Sequence, residues 1–262
     1  MERPCGRESR TAKALTGGPA SLRAAFSARN GSQGREPSKA WHIPALTPLP
    51  QQLQTTALIL AKSPSGSDSF EQLTAWSGEH GLLHLLLRIP KSAKASLARR
   101  SSAPRSEGRL DLFDEAELWL ESSNQGRTWF IKEHRFIAQR AGIGRSYDAL
   151  KAAAALAALV TRNPVPDESR PPVADLLRSS LAALAAGGRP DLVWLKALYC
   201  FLRDEGYPVK QQWWPQLAAP DRTAATQLLN QPLAAQTADA ATVARLIRQL
   251  EDWVRGETEI RL

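Results

Sequence analysis

The chain has 262 residues, 43% hydrophobic and 23% charged, a globular balance that excludes disorder over most of its length. No apolar run reaches the roughly 20 residues of a bilayer-crossing helix, since the stretch 82–87 is broken by His84 and ended by Arg88 and Pro90, and the two cysteines exclude a disulfide framework or a four-cysteine metal site. The net charge of +8 points to a polyanionic partner, and its excess lies in the first half: residues 1–54 carry eight Lys/Arg and three Asp/Glu, residues 55–145 thirteen and ten, residues 146–262 thirteen of each.

Residues 1–54 are rich in Gly, Ser, Arg, Ala and Pro without a period of 2 or 3.6, and they are expected to form a disordered basic arm. The same composition fits a transit peptide or an extension upstream of the true start. From Thr55 the pattern changes to short β-like runs at 56–62, 69–77, 81–89, 115–122 and 128–137. Turn chemistry separates them, as in Ser63-Pro64-Ser65-Gly66-Ser67, Gly78-Glu79-His80-Gly81 and the hairpin segment Ser122-Ser123-Asn124-Gln125-Gly126. Five antiparallel strands in so short a stretch suit a small closed barrel better than an open sheet with two bare edges.

The connection between the third and fourth strands is too long for a turn. It holds Arg88, Lys91, Lys94, Arg99, Arg100, Arg105 and Arg109 against the single Glu107, with small residues between, a composition able to follow a phosphate backbone. A second basic group, Lys132, Arg135, Arg140 and Arg145, runs along the fifth strand toward the helices. Trp129 and Phe136, interleaved with it, are either base-stacking residues or core filling. The acidic run Asp111, Asp114, Glu115, Glu117 and Glu121 lacks calcium-loop spacing and is expected to be a solvated strand edge. His42, His80, His84 and His134 lack metal-ligand spacing, and Gly142-Ile143-Gly144-Arg145 lacks a phosphate-loop pattern and is expected to be an interdomain turn.

After Arg145 helical periodicity takes over, with helices expected at 146–161 behind a Ser146 cap, 172–186, 191–205, 221–229 and 240–256. Leu192, Leu195, Leu198, Tyr199 and Leu202 share one face of the third, and Cys200 is assigned to the same core. No nucleophile, base and orienting group assemble from these residues, so no catalytic residue, cofactor or small-molecule substrate is expected.

The stretch 55–92, TTALILAKSPSGSDSFEQLTAWSGEHGLLHLLLRIPKS, resembles the opening of the RecO family of recombination mediator proteins. Gly66-Ser67-Asp68, Glu79-His80-Gly81 and the basic segment after Arg88 stand where that family has its first turn, its second turn and the end of its third strand. Residues 115–137 are similar to its last barrel strands, and Leu198 to Pro208 (LYCFLRDEGYP) to its Gly-Tyr helix end.

The resemblance implies an α+β protein, with an oligonucleotide-binding (OB-fold) barrel over 55–141 and an α-helical domain over 142–262. It further implies binding of single- and double-stranded DNA, strand annealing, and cooperation with a RecR-like protein and a single-strand-binding protein in loading recombinase during DNA repair, in a bacterial cytoplasm, at the nucleoid. Annealing by charge neutralisation is expected to need no ATP. The four-cysteine zinc module of many members is missing, so no metal is expected and Trp213 and Trp214 are expected to staple that region by packing. An RNA-binding barrel and a protein-interaction scaffold are the competing readings.

Overall fold

A computed structural model describes residues 50–66, 69–89 and 108–262. The first 49 residues and the segment 90–107, with Lys91, Lys94, Arg99, Arg100 and Arg105, lie outside the described residues.

The alternating runs form five strands, β1 (Gln51–Pro64), β2 (Phe70–Ser77), β3 (Gly81–Arg88), β4 (Glu115–Ser122) and β5 (Trp129–Ala138). Their order is β1-β2-β3-β5-β4, and β1 also pairs with β4, so the sheet closes on itself. Every ladder is antiparallel except the β3–β5 seam, where Leu85 and Leu86 lie beside Trp129 and Phe130 in parallel. β1 pairs with β4 over 51–58 and with β2 over 57–64, and its ladder to β2 carries a bulge between Ile59 and Ala61. Such a bulge bends a strand and strengthens its twist. β1 also starts inside the stretch expected to be a disordered arm. Gln51–Gln54 are held by the ladder to β4 and not by an apolar pattern, which is why periodicity passes over them.

Six α-helices follow: α1 (Tyr147–Arg162), α2 (Arg170–Ala185), α3 (Pro190–Asp204), α4 (Val209–Gln216), α5 (Ala219–Asn230) and α6 (Ala240–Glu257). The architecture is therefore α+β. Periodicity does not predict α4, because eight residues containing Pro215 carry no sustained period. α3 is central, packing against α1, α2 and α6, and all five residues read as its core face are buried. Trp213 is 1% exposed and sits 6.3 Å from Tyr199 and 5.8 Å from Trp214, ring to ring, which ties α4 onto α3. Cys200, assigned to that core, is only half-buried.

Two apolar clusters organise the described residues. One fills the closed sheet, from Ile59, Leu73, Leu85, Leu118 and their neighbours. The other unites the helices with Leu58, Leu60 and Trp76 on the outside of the sheet and with Phe113 before β4, so strands and helices share a core. A polar network crosses that junction. Glu115 accepts from Arg140 at 2.9 Å and from Arg178 of α2 at 2.7 Å, while Asp114 accepts from the backbone N–H groups of Asp111 and Arg140. Asp114 and Glu115 are 0% and 3% exposed, so this part of the acidic run is a buried joint and not the solvated edge expected. No helix among the described residues is long and apolar enough to cross a membrane.

Candidate nucleic-acid interface

Successive side chains on a strand point to opposite faces. On β2, β3 and β5 the inward set includes Leu73, Ala75, Leu83, Leu85, Trp129 and Ile131, all in the sheet's interior cluster. The alternate set, Phe70, Gln72, Thr74, Trp76, Leu82, His84, Leu86, Arg88 and Phe130, therefore faces outward. Its two ends have different fates. Trp76 and Leu82 are covered by the helical core, where Trp76 Nε1 donates to the Arg170 carbonyl at 3.4 Å.

At the other end Phe70, Leu86 and Phe130 are only half-buried and belong to neither apolar cluster. Phe70 is in register with Arg88, Gln72 with Leu86, and Leu86 with Phe130. The rings of Phe70 and Phe130 meet edge to face, 5.7 Å apart, across this surface. The result is a small aromatic and aliphatic platform with Arg88 at its edge.

The β4–β5 loop borders the same strands. It is held by its own polar side chains: Ser122 Oγ accepts from the N–H groups of Asn124 and Gly126, and Asn124 Oδ1 accepts from the Thr128 N–H at 3.0 Å. Gly126 has φ +79°, which glycine adopts at little cost. The loop carries Arg127, exposed and without an ion pair among the described residues. Sequence reasoning missed this arginine because it stands alone, outside both charge clusters.

The expected site residues fall into distinct groups. Arg88 and Arg145 are exposed and make no ion pair among the described residues. Arg109 is bound to Glu71 at 3.0 Å at the rim of the sheet, where Lys62 also reaches Glu71 and Asp111. Lys132 pairs with Glu121 at 2.8 Å, and Arg135 with Glu117, which accepts from Gln54 as well. The Gln54 hydrogen bond and, after it, Arg135 hold the Glu117 carboxyl below its ordinary value. The fifth-strand cations are thus matched by neighbouring carboxylates and form no net positive patch.

Arg140, expected on the DNA-facing surface, is 5% exposed and divides its guanidinium between Glu115 and the Phe113 carbonyl. It lies inside the protein as part of the sheet–helix joint. Trp129 is 9% exposed within the interior cluster, and Phe136 packs against the same cluster beside His134. Trp129 thus serves as core filling, while Phe136 is only partly buried. On the outer face of β2, β3 and β5 the aromatic residues that belong to neither cluster are Phe70 and Phe130, while Trp119 stands half-buried on the outer face of β4. Gly142 and its neighbours form a tight 3-10 turn, Ala141–Arg145, that anchors Ile143 in the core.

No family model and no curated protein matches the chain.

Proposed function

We propose that the protein is a non-catalytic, DNA-handling protein that holds single strands on the outer face of β2, β3 and β5. In this reading bases stack on Phe70 and Phe130, while Arg88, Arg127 and the basic segment that continues from β3 neutralise phosphates. The observation that carries it is the half-exposed Phe70–Leu86–Phe130 platform, left open at the end of that face away from Trp76 and Leu82, which the helices cover. Aromatic faces accept any base and contribute roughly 1–3 kcal/mol each, and Lys/Arg contacts make such binding salt-dependent.

The strand order and the parallel β3–β5 seam support reading the closed sheet as a five-stranded Greek-key barrel of the oligonucleotide-binding kind, whose second and third strands and β4–β5 loop commonly carry the ligand. The resemblance of residues 55–92 to the recombination mediators favours strand annealing and recombinase loading as the task. Bringing two like-charged strands together requires charge neutralisation and alignment, with no bond made or broken.

The experiment is equilibrium binding of the purified protein to labelled single-stranded DNA, duplex DNA and matched RNA across a salt series, with annealing followed in the same samples. Steeply salt-dependent DNA binding with faster annealing is expected, weakened by Phe130→Ala. A preference for RNA would move the site to the competing RNA-binding reading, and binding indifferent to Phe130 would remove the platform from it.

A further inference from the structure

A cavity of about 510 Å3 opens between α3, α4 and α5, away from the sheet face described above. That size falls in the range typical of small-molecule sites, roughly 300–1,000 Å3. Its walls contain three cations, Lys196 and Arg203 from α3 and Lys210 from α4, and no carboxylate. Arg203 is paired with Asp204 outside the lining, Nε to Oδ1 at 2.7 Å, so one charge is partly offset. Lys196 donates to the carbonyls of Leu229 and Gln231, which take up two of its three hydrogens without cancelling its charge. Lys210 is exposed and makes no ion pair among the described residues.

The cavity is not uniformly polar. Tyr199 and Trp214 form an aromatic wall, their rings 6.5 Å apart and tilted by 57°. Cys200 stands between the cations on α3, and burial pushes its thiol up from the ordinary value, so at neutral pH it adds no negative charge. A half-open hollow whose walls interleave surplus positive charge with aromatic rings suits an anion with a flat apolar body.

We propose that this cavity binds a small organic anion carrying an aromatic group, its anionic end held by Lys210 and Arg203 and its ring laid against Trp214 and Tyr199. The proposal is independent of the nucleic-acid reading, and it departs from the sequence expectation of no small-molecule ligand.

The test uses the full chain with two probes, indole-3-acetate for a carboxylate and phenyl phosphate for a phosphate monoester. Binding is measured by calorimetry, and shielding of Cys200 by its rate of alkylation with N-ethylmaleimide, read by peptide mass. At least one probe is expected to bind and to slow Cys200 alkylation. Lys210→Ala should weaken that binding roughly tenfold, the scale of one charged hydrogen bond, while leaving the melting temperature unchanged. Arg203→Gln serves as the second variant. Preference for one probe identifies the anion class. Absence of binding by both at millimolar concentration, or binding that both variants and Cys200 alkylation leave untouched, would overturn the proposal.

Discussion

Trp129 and Phe130 are adjacent in sequence and similar in chemistry, yet the pleat sends one into the sheet and the other onto its surface. Trp129→Ala should cost about 3–5 kcal/mol of stability, as expected for a large aromatic removed from a packed interior. Phe130→Ala should cost less stability and about 1–3 kcal/mol of single-strand affinity. Denaturant melts and binding isotherms on both variants separate the two roles. Glu115 makes a second residue-level case. Burial pushes its carboxyl up, but the hydrogen bonds and charges of Arg178 and Arg140 together outweigh burial and hold it below the ordinary carboxylate value. A carboxyl lowered in the folded state adds stability above its unfolded value and loses it as pH falls through the depressed folded value. Glu115→Gln should therefore be most destabilising at neutral pH, on the order of 3 kcal/mol for a broken buried pair, with the gap to the parent closing in acid. Melts of both proteins from pH 7 to pH 3 check this, and a constant gap would count against it.

The joints between elements are less legible in sequence than the elements themselves. Five strands and the longer helices follow from periods of 2 and 3.6, whereas the 3-10 turn Ala141–Arg145 reads only as a glycine-rich connection. Its reason is steric. A Cβ on Gly142 would lie 2.1 Å from the Ala185 carbonyl oxygen at the end of α2, and backbone cannot yield as a flexible side chain does. Gly142→Ala should destabilise by about 1–3 kcal/mol or more, measured by thermal unfolding. Ser146→Ala, which removes only the acceptor of the Ala149 N–H at the start of α1, should cost about 1 kcal/mol. α4 is hidden in the sequence because Trp213 and Trp214 hold it by packing against Tyr199, a tertiary cause that leaves no periodic trace.

Across the whole molecule the question is which cations remain available to a polyanion. Counting Lys and Arg along the chain cannot separate Arg140, enclosed with Glu115, from Arg88, which is exposed at the end of β3 and makes no ion pair among the described residues. Releasing fewer counterions flattens the salt dependence of single-strand binding, by roughly 0.7 units of slope for each phosphate that is no longer neutralised. The double substitution Arg88→Ala with Arg127→Ala is thus expected to lower the slope of log affinity against log salt for single strands by up to about 1.4, whereas Arg135→Ala should leave it nearly unchanged. Binding titrations between low and moderate salt decide between them. The α+β order, most strand and helix positions and the uneven charge are legible in the amino-acid sequence, because periodicity, turn chemistry and composition are local properties. Which face of each strand is covered and which ions are buried are settled instead by long-range packing. Those outcomes depend on the closing of β1 against β4 and on the docking of α1 and α2 over one end of the sheet, where residues far apart in the chain meet.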